Sequence, residues 1–186
     1  EKYNFKLIHI STDCVFDGAK GGYHESDLPN ASDLYGRSKS LGEVKSKKHI
    51  TLRTSIIGHE LNSSHSLVDW FLNQKKSVNG FTRAIFSGLP TICVAEFLKD
   101  HVIGHDIGGL YHLSSVPISK YNLLNLINEI YEHNINIVKS DKLNIDRSLN
   151  SSALQRDTGY NPKSWREMIK RMHGEYNEYK RQALDS

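Results

Sequence analysis

A tyrosine and a lysine four residues apart form the clearest potential catalytic pair in this chain. They lie in the segment Tyr35-Gly36-Arg37-Ser38-Lys39. On a helix this spacing places both side chains on one face, where an ammonium stabilises the ionised form of a phenol. A tyrosine of lowered pKa can protonate a carbonyl oxygen while hydride reaches the carbon. The pair therefore indicates carbonyl reduction, or the reverse oxidation with tyrosine as the base.

Spacing alone does not single out this pair, because the chain has nine tyrosines. Tyr176 and Lys180 repeat the pattern near the end of the chain, and we interpret them as a solvated helix face. The first pair differs because its helix follows a predicted strand that ends in Ser11-Thr12-Asp13. Open α/β sheets bind ligands at the carboxyl ends of their strands. We therefore expect a hydroxyl of Ser11 or Thr12 to share a substrate oxygen with Tyr35.

The elements that would position these residues follow the order strand, helix, strand. A short apolar run at 7–10 predicts a buried parallel strand. From Ser32 or Asp33, a candidate N-cap, the segment through Lys48 has helical character. The run 50–57, closed by Gly58, predicts the next strand. Together these segments predict one right-handed crossover unit of an α/β sheet.

Beyond Gly58 the pattern is less regular and predicts a second lobe. Its apolar stripes and turn signals predict elements in the following order: a helix through 67–71 ending near 76, a strand at 84–86, a helix at 94–105, a strand at 110–113, a helix capped by Ser119, a strand at 135–138, and terminal helices at 151–158 and 164–183.

Composition and charge exclude several classes of protein. The 186 residues carry 24 lysines and arginines and 21 acidic residues, a net charge of +3 without a strong basic patch. Two distant cysteines indicate neither a disulfide framework nor a zinc site, and the ten histidines show no metal-ligand spacing. No apolar run approaches the roughly 20 residues that span a bilayer. We expect a cytoplasmic protein without a metal, a nucleic-acid partner or a membrane partner.

Five segments together resemble one known family. They are ISTDCVFDG at 10–18, YHESD at 23–27, YGRSKSLGE at 35–43, LRTSIIG at 52–58 and SGLPT at 87–91. The set closely resembles the extended short-chain dehydrogenases/reductases, and within them it is most similar to the dTDP-4-dehydrorhamnose reductase group. The resemblance is strong to about Gly58 and looser beyond it.

The resemblance implies an α/β fold that contains the C-terminal part of a Rossmann-type parallel sheet. Residues 1–58 would supply the later strands and the catalytic helix of an incomplete dinucleotide-binding domain. Residues 59–186 would form a small mixed α/β substrate-binding lobe that returns helices to the sheet. The catalytic residues would be Thr12, Tyr35 and Lys39. NADP or NAD would contact Ser11, Tyr35, Lys39 and Arg53, although a charged residue within an apolar strand is equally consistent with pairing inside the sheet.

The implied substrate-binding residues are Thr12, Asp13, Cys14, Tyr23, Glu25 and Trp70. Three of them have a second interpretation: Tyr23 as a loop aromatic, Glu25 as a turn-capping carboxylate, and Trp70 as a core residue rather than a platform for a base. Position 14 is cysteine where the dehydrorhamnose reductases more usually have tyrosine. This difference indicates a related branch that acts on a different sugar.

The resemblance implies NAD(P)H-dependent reduction of a 4-keto-6-deoxy nucleotide sugar in surface polysaccharide biosynthesis, by a protein that forms homodimers. Two alternatives stay open: a nucleotide-sugar epimerase or dehydratase of the same family, and a non-catalytic binding or regulatory protein on the same scaffold. The chain departs from the family because it has no Gly-x-x-Gly-x-x-Gly turn to hold a dinucleotide. We therefore expect a carboxyl-terminal portion of a longer protein, with weak or no turnover in isolation.

Overall fold

A computed structural model describes residues 5–61, 63 and 65–184. A short 3-10 turn, Asp13–Val15, follows the first strand. The strands are β1 (Ile8–Thr12), β2 (Ile50–Thr54), β3 (Ile56–Ile57), β4 (Val78–Phe86), β5 (Leu89–Pro90), β6 (Gly109–His112), β7 (Ile118–Ser119) and β8 (Ile137–Asp146). The helices are α1 (Leu34–Leu41), α2 (Leu67–Leu72), α3 (Thr91–His101), α4 (Lys120–Ile130), α5 (Ser152–Thr158) and α6 (Trp165–Leu184).

The first sheet is parallel, with strand order β1-β2-β6. Ile8 pairs with Ile50, and Ile50 pairs in turn with Gly109. The predicted strand, helix, strand unit is present, and the predicted strand at 50–57 is divided into β2 and β3. Because β6 comes from beyond residue 58, the later part of the chain completes the sheet that the earlier part begins.

The helix α1 begins where the sequence predicted and ends earlier. The carboxylate of Asp33 caps it by accepting a hydrogen bond of 2.8 Å from the backbone N–H of Gly36. The helix ends at Leu41 rather than Lys48, and Gly42 forms its C-cap. The predicted length was wrong, because Glu43 lies outside the helix, where its carboxylate binds the guanidinium of Arg53 in β2.

A second sheet has the order β7-β4-β8, in which β4 runs antiparallel to β7 and parallel to β8. Both long strands exceed their predicted lengths at 84–86 and 135–138. The helix α4 packs against β4, and its residues Leu123, Leu124 and Ile127 are buried. Ser119 caps this helix, as predicted, by accepting a hydrogen bond from the backbone N–H of Asn122.

One hydrophobic core connects these two sheets with a third, formed by the short parallel strands β3 and β5. It joins Ile50 and Leu52 of the parallel sheet with Phe71 of α2, Leu124 of α4 and Met168 of α6. The helix α5 contacts β6, and α6 packs against β5, α3 and α4. Among the residues that the structure describes, no helix is both long enough and apolar enough to cross a membrane.

Candidate functional site

Thr12 lies at the carboxyl end of β1, the edge where the sequence predicted ligand binding. Its hydroxyl oxygen accepts a hydrogen bond of 3.1 Å from the backbone N–H of Cys14. The hydroxyl donates to Oδ1 of Asp13 at 3.3 Å. Thr12 is mostly buried, and its bond to Asp13 is long, so the hydroxyl proton can turn to another acceptor.

The helix α1 approaches this edge closely because residue 36 is glycine. A Cβ at Gly36 would collide with the carbonyl oxygen of Cys14. One turn further along the helix, the ammonium of Lys39 donates to the carbonyl oxygen of Ile10 at 2.8 Å. The side chain of Tyr35 is 57% exposed. The structure thus brings Thr12 and the helix that bears Tyr35 and Lys39 to one edge of the sheet.

Behind this edge lies a buried ionic network. The guanidinium of Arg53 binds Glu43 through two bonds of 2.7 Å, and Ser11 donates to the same carboxylate at 2.8 Å. Burial alone would raise the pKa of Glu43, but the bonds from Arg53 and Ser11 outweigh it and lower the pKa. For Arg53 the structure shows pairing inside the sheet. Ser11 and Arg53 both bind Glu43 in this structure, and their contact with a cofactor stays a prediction.

His112 completes the network as a neutral imidazole. Its Nδ1 lies 3.0 Å from the carbonyl oxygen of Tyr23, and its Nε2 lies 3.4 Å from Nη1 of Arg53. Burial lowers the pKa of His112 to about 4, while the nearby Glu25 opposes the shift. The carbonyl can only accept and the guanidinium can only donate, so Nδ1 carries the proton and Nε2 is the acceptor.

Tyr23 and Glu25 support the fold around this network. The ring of Tyr23 is buried, stacks on Phe16 at 4.1 Å and donates from its hydroxyl to Asp17 at 2.9 Å. Glu25 accepts the backbone N–H of His112 at 2.9 Å. Neither side chain lines the cleft described next. Both side chains therefore have structural contacts, although Glu25 binds the backbone of β6 rather than capping its own turn, and their contact with substrate stays a prediction.

A cleft of about 340 Å³ opens beside the 3-10 turn that follows Thr12. Asp13, Cys14 and Trp70 line it, and they are three of the six predicted substrate-binding residues. Trp70 is partly exposed. Much of the wall is apolar and comes from β4 and β8, through Phe81, Ala84, Phe86, Leu143 and Ile145.

Two basic residues in the cleft, Lys120 and Arg147, were missed by the sequence analysis. Lys120 is the first residue of α4, and its ammonium lies 4.4 Å from the centre of the Phe86 ring. Arg147 directly follows β8, donates to the carbonyl oxygen of Phe16 at 2.8 Å and approaches the sulfur of Cys14 at 3.4 Å. The strand predicted at 135–138 ended well before Arg147, and the predicted cap at Ser119 did not by itself place Lys120 at the cleft.

The charged groups of the cleft are partly removed from water. Burial raises the pKa of Asp13, against the effect of a hydrogen bond from Cys14 and the charge of Arg147. Burial lowers the pKa of Lys120, and the charge of Asp13 opposes the shift. Burial and the neighbouring Asp13 raise the pKa of Cys14. The floor of the cleft therefore offers desolvated groups of both charges beside an apolar wall, an arrangement suited to a ligand with polar and apolar parts.

The sheet edge, the helix that bears Tyr35 and Lys39 and the adjoining cleft define an α/β protein with a candidate ligand site at the carboxyl ends of its parallel strands. A family model described as the RmlD substrate binding domain matches residues 1–178. The chain belongs to this family, which confirms the resemblance and the fold class that the sequence indicated.

Individual relatives cover parts of the chain. The dTDP-4-dehydrorhamnose reductase of Aggregatibacter actinomycetemcomitans is 29% identical over 127 residues, which are 62% of this chain and 43% of that protein. Methionine adenosyltransferase 2 subunit beta of Danio rerio is 54% identical over 43 residues, 23% of this chain and 13% of that protein. The dTDP-4-dehydrorhamnose reductase of Bacillus anthracis str. Ames, solved in complex with NADP, superposes with a TM-score of 0.78 at 22% identity, over 91% of this chain and 66% of that one.

Proposed function

We propose that this chain carries the catalytic residues and the sugar-binding cleft of an NAD(P)H-dependent reductase. The substrate would be a 4-keto-6-deoxy nucleotide sugar. The reaction would take place in the cytoplasm and supply the biosynthesis of a surface polysaccharide. The observation that carries the proposal is the position of the cleft, which begins at the turn after Thr12 against which α1 packs. A carbonyl held at the mouth of this cleft would lie in the same region as the hydroxyl of Thr12, from β1, and the phenol of Tyr35, from α1.

In this proposal Tyr35 protonates the carbonyl oxygen, and Thr12 donates a hydrogen bond to the same oxygen. The hydroxyl of Thr12 would exchange its long bond to Asp13 for this stronger one. Lys39, whose ammonium donates to the carbonyl oxygen of Ile10, would bind the ribose of the dinucleotide beside Tyr35. A bound dinucleotide would supply the hydride. Lys39 and Tyr35 fit its nicotinamide-ribose end, while the chain contains no glycine-rich turn for its diphosphate.

The cleft supplies groups for a charged sugar nucleotide. Lys120 and Arg147 would bind phosphate oxygens, because both cations line the cleft and can donate charge-assisted hydrogen bonds to a phosphate. Trp70 would stack on the base, and Asp13 would accept from a sugar hydroxyl. Cys14 is smaller than the tyrosine usual in the dehydrorhamnose reductases, so it leaves room for a different sugar substituent at this position.

NADPH oxidation by the full-length protein, measured with a panel of 4-keto-6-deoxy nucleotide sugars, tests the proposal. Tyr35→Phe is expected to lower kcat by roughly 10²- to 10⁴-fold with little change in substrate Kd, because it removes the proton and keeps the ring. Lys120→Met is the complementary variant and should raise Kd while leaving kcat at saturation largely intact. Wild-type turnover by Tyr35→Phe would contradict the assignment of the acid.

A regulatory role is the second candidate, favoured by the local 54% identity to a methionine adenosyltransferase subunit. Nucleotide-sugar binding without NADPH consumption in the full-length protein would support it. Substrate conversion without net cofactor oxidation would instead support an epimerase or dehydratase.

We also propose a homodimer through α1, because Leu34 and Leu41 on this helix are each 86% exposed. Sedimentation of the wild type and a Leu41→Glu variant tests that pairing.

A further inference from the structure

A partly buried histidine outside the cleft joins four separate segments of the fold. His59 follows β3, and its Nδ1 lies 2.6 Å from Oδ1 of Asp69 in α2. Its Nε2 lies 2.9 Å from the hydroxyl of Tyr131, the residue that ends α4. Its ring stacks on Tyr176 of α6 with 3.5 Å between centres and 8° between planes. The side chains of His59 and Asp69 are only 10% and 13% exposed.

The two hydrogen bonds of this imidazole require defined donors and acceptors. The carboxylate of Asp69 accepts, so Nδ1 of His59 carries a proton. In the neutral ring Nε2 then accepts the hydroxyl proton of Tyr131. Asp69 is held in place on its other side, where Oδ2 accepts from the backbone N–H of Glu60 at 2.7 Å and from Ser66 at 3.3 Å. A continuous chain of hydrogen bonds therefore runs from α4 through His59 to α2.

Both helices that His59 connects contribute residues to the cleft. The helix α2 places Leu67 and Trp70 in the cleft wall, and Asp69 lies beside Trp70 on this same helix. The helix α4 begins with Lys120 at the cleft, 11 residues before the end at which Tyr131 binds His59. Because α2 has only six residues, its own hydrogen bonds hold it weakly, and contacts with other elements must fix its orientation.

We propose that His59 is a positioning residue that holds α2 and α4 against α6 and thereby sets the shape of the cleft wall. His59 does not line the cleft and acts through Asp69 and Tyr131. The identity of the cleft's ligand in this inference rests on the proposed function, whereas the mechanical role of His59 does not. Val68 and Phe71 anchor the buried face of α2 in the core, and His59 fixes the polar side of the same helix.

Three variants separate the contacts of His59. His59→Phe keeps a ring for stacking on Tyr176 and removes both hydrogen bonds. Tyr131→Phe removes only one of these bonds and carries the test by itself should His59→Phe fail to fold. His105→Phe is the matched control, because His105 is an exposed histidine that makes no side-chain hydrogen bond within the described part of the chain.

Hydrogen–deuterium exchange of residues 66–73, measured without ligand, reports directly on α2. We expect exchange in His59→Phe to accelerate about tenfold, the size expected for losing one or two hydrogen bonds, with a smaller increase in Tyr131→Phe and none in His105→Phe. Unchanged exchange in both His59→Phe and Tyr131→Phe would overturn the proposal.

Titration of the full-length protein with dTDP then tests the consequence for the cleft. His59→Phe should weaken dTDP binding by a similar factor and raise KM, while kcat at saturation stays near that of the wild type. Unaltered dTDP affinity despite faster exchange would refute the link between His59 and the cleft. If the wild type binds no dTDP while α2 still loosens in His59→Phe, the positioning role stands and the proposed ligand fails.

Discussion

Replacing Glu43 with alanine would leave the guanidinium of Arg53 inside the sheet without a carboxylate partner. In the native pair both side chains are only 1% exposed, and two bonds of 2.7 Å join them. The same change also removes the acceptor for Ser11. The neutral imidazole of His112 and the ring of Phe16, whose centre lies 5.1 Å from the guanidinium, would remain beside Arg53, and neither can balance its charge.

The expected cost follows from the burial of this charge. Removing one partner of a buried ion pair destabilises a protein by about 3–5 kcal/mol, because the remaining charge is left without compensation. A domain of ordinary stability has roughly 5–15 kcal/mol in total. Glu43→Ala should therefore bring the folded state close to its limit. Glu43→Leu combined with Arg53→Met should recover much of the loss, because no charge is then buried.

Urea denaturation, followed by circular dichroism, measures these free energies of unfolding. Glu129→Ala is the matched control, because Glu129 binds Arg166 through two bonds of similar length. The side chains of Arg166 and Glu129 are 50% and 60% exposed. An exposed pair of this kind contributes about 0.2–1 kcal/mol. If Glu43→Ala costs no more than Glu129→Ala, the argument that burial makes the Glu43–Arg53 pair important is refuted.

Two further changes test the approach of α1 and the acid sensitivity of the fold. Gly36→Ala should lower the free energy of unfolding by about 1–3 kcal/mol, because the added Cβ would meet the carbonyl oxygen of Cys14. Gly174 lies in open space on α6, so Gly174→Ala should raise the free energy of unfolding by up to about 1 kcal/mol. Urea denaturation measures both variants, and equal effects would contradict the predicted close approach of α1. The lowered pKa of His112 means that the unfolded state takes up a proton first as pH falls from 6.5 to about 4, so stability drops in this range. His112→Gln should flatten the slope by up to about 1.4 kcal/mol per pH unit, and an unchanged slope would exclude His112 as the cause.

Local signals in the sequence were sufficient for the elements around α1, the helix that bears Tyr35 and Lys39. The strand β1 is a short run of apolar and β-branched residues, and the cap at Asp33 is a contact between near neighbours. The strands β4 and β8 were only partly predicted. Most side chains of β8 are exposed or half-buried, so its sequence lacks the apolar pattern of a core strand. Its structure depends on pairing with β4 over residues far away in the chain.

The predicted catalytic residues and the cleft differ in the same way. Thr12, Tyr35 and Lys39 were found together because they lie within a single crossover unit whose edge is known from topology. Arg147 could not be assigned by spacing, because 133 residues separate it from Cys14, and only the second sheet brings the two together. Lys120 reaches the cleft for the same reason, since β7 and α4 pack against β4. The acidic and cysteine side of the cleft was predictable, and its basic side was not.

Glu43 shows why one wrong boundary left the role of Arg53 open. A helix predicted to continue through Lys48 includes Glu43 as an ordinary helical residue, which leaves the charge of Arg53 without an evident partner. In the structure α1 ends at Leu41, and the chain turns so that the carboxylate of Glu43 binds Arg53. Pairing the charge of Arg53, which would otherwise be buried without a partner, outweighs the helical preference of the segment. The helix end and the ion pair are therefore consequences of one interaction, and a variant that removes Glu43 should alter both.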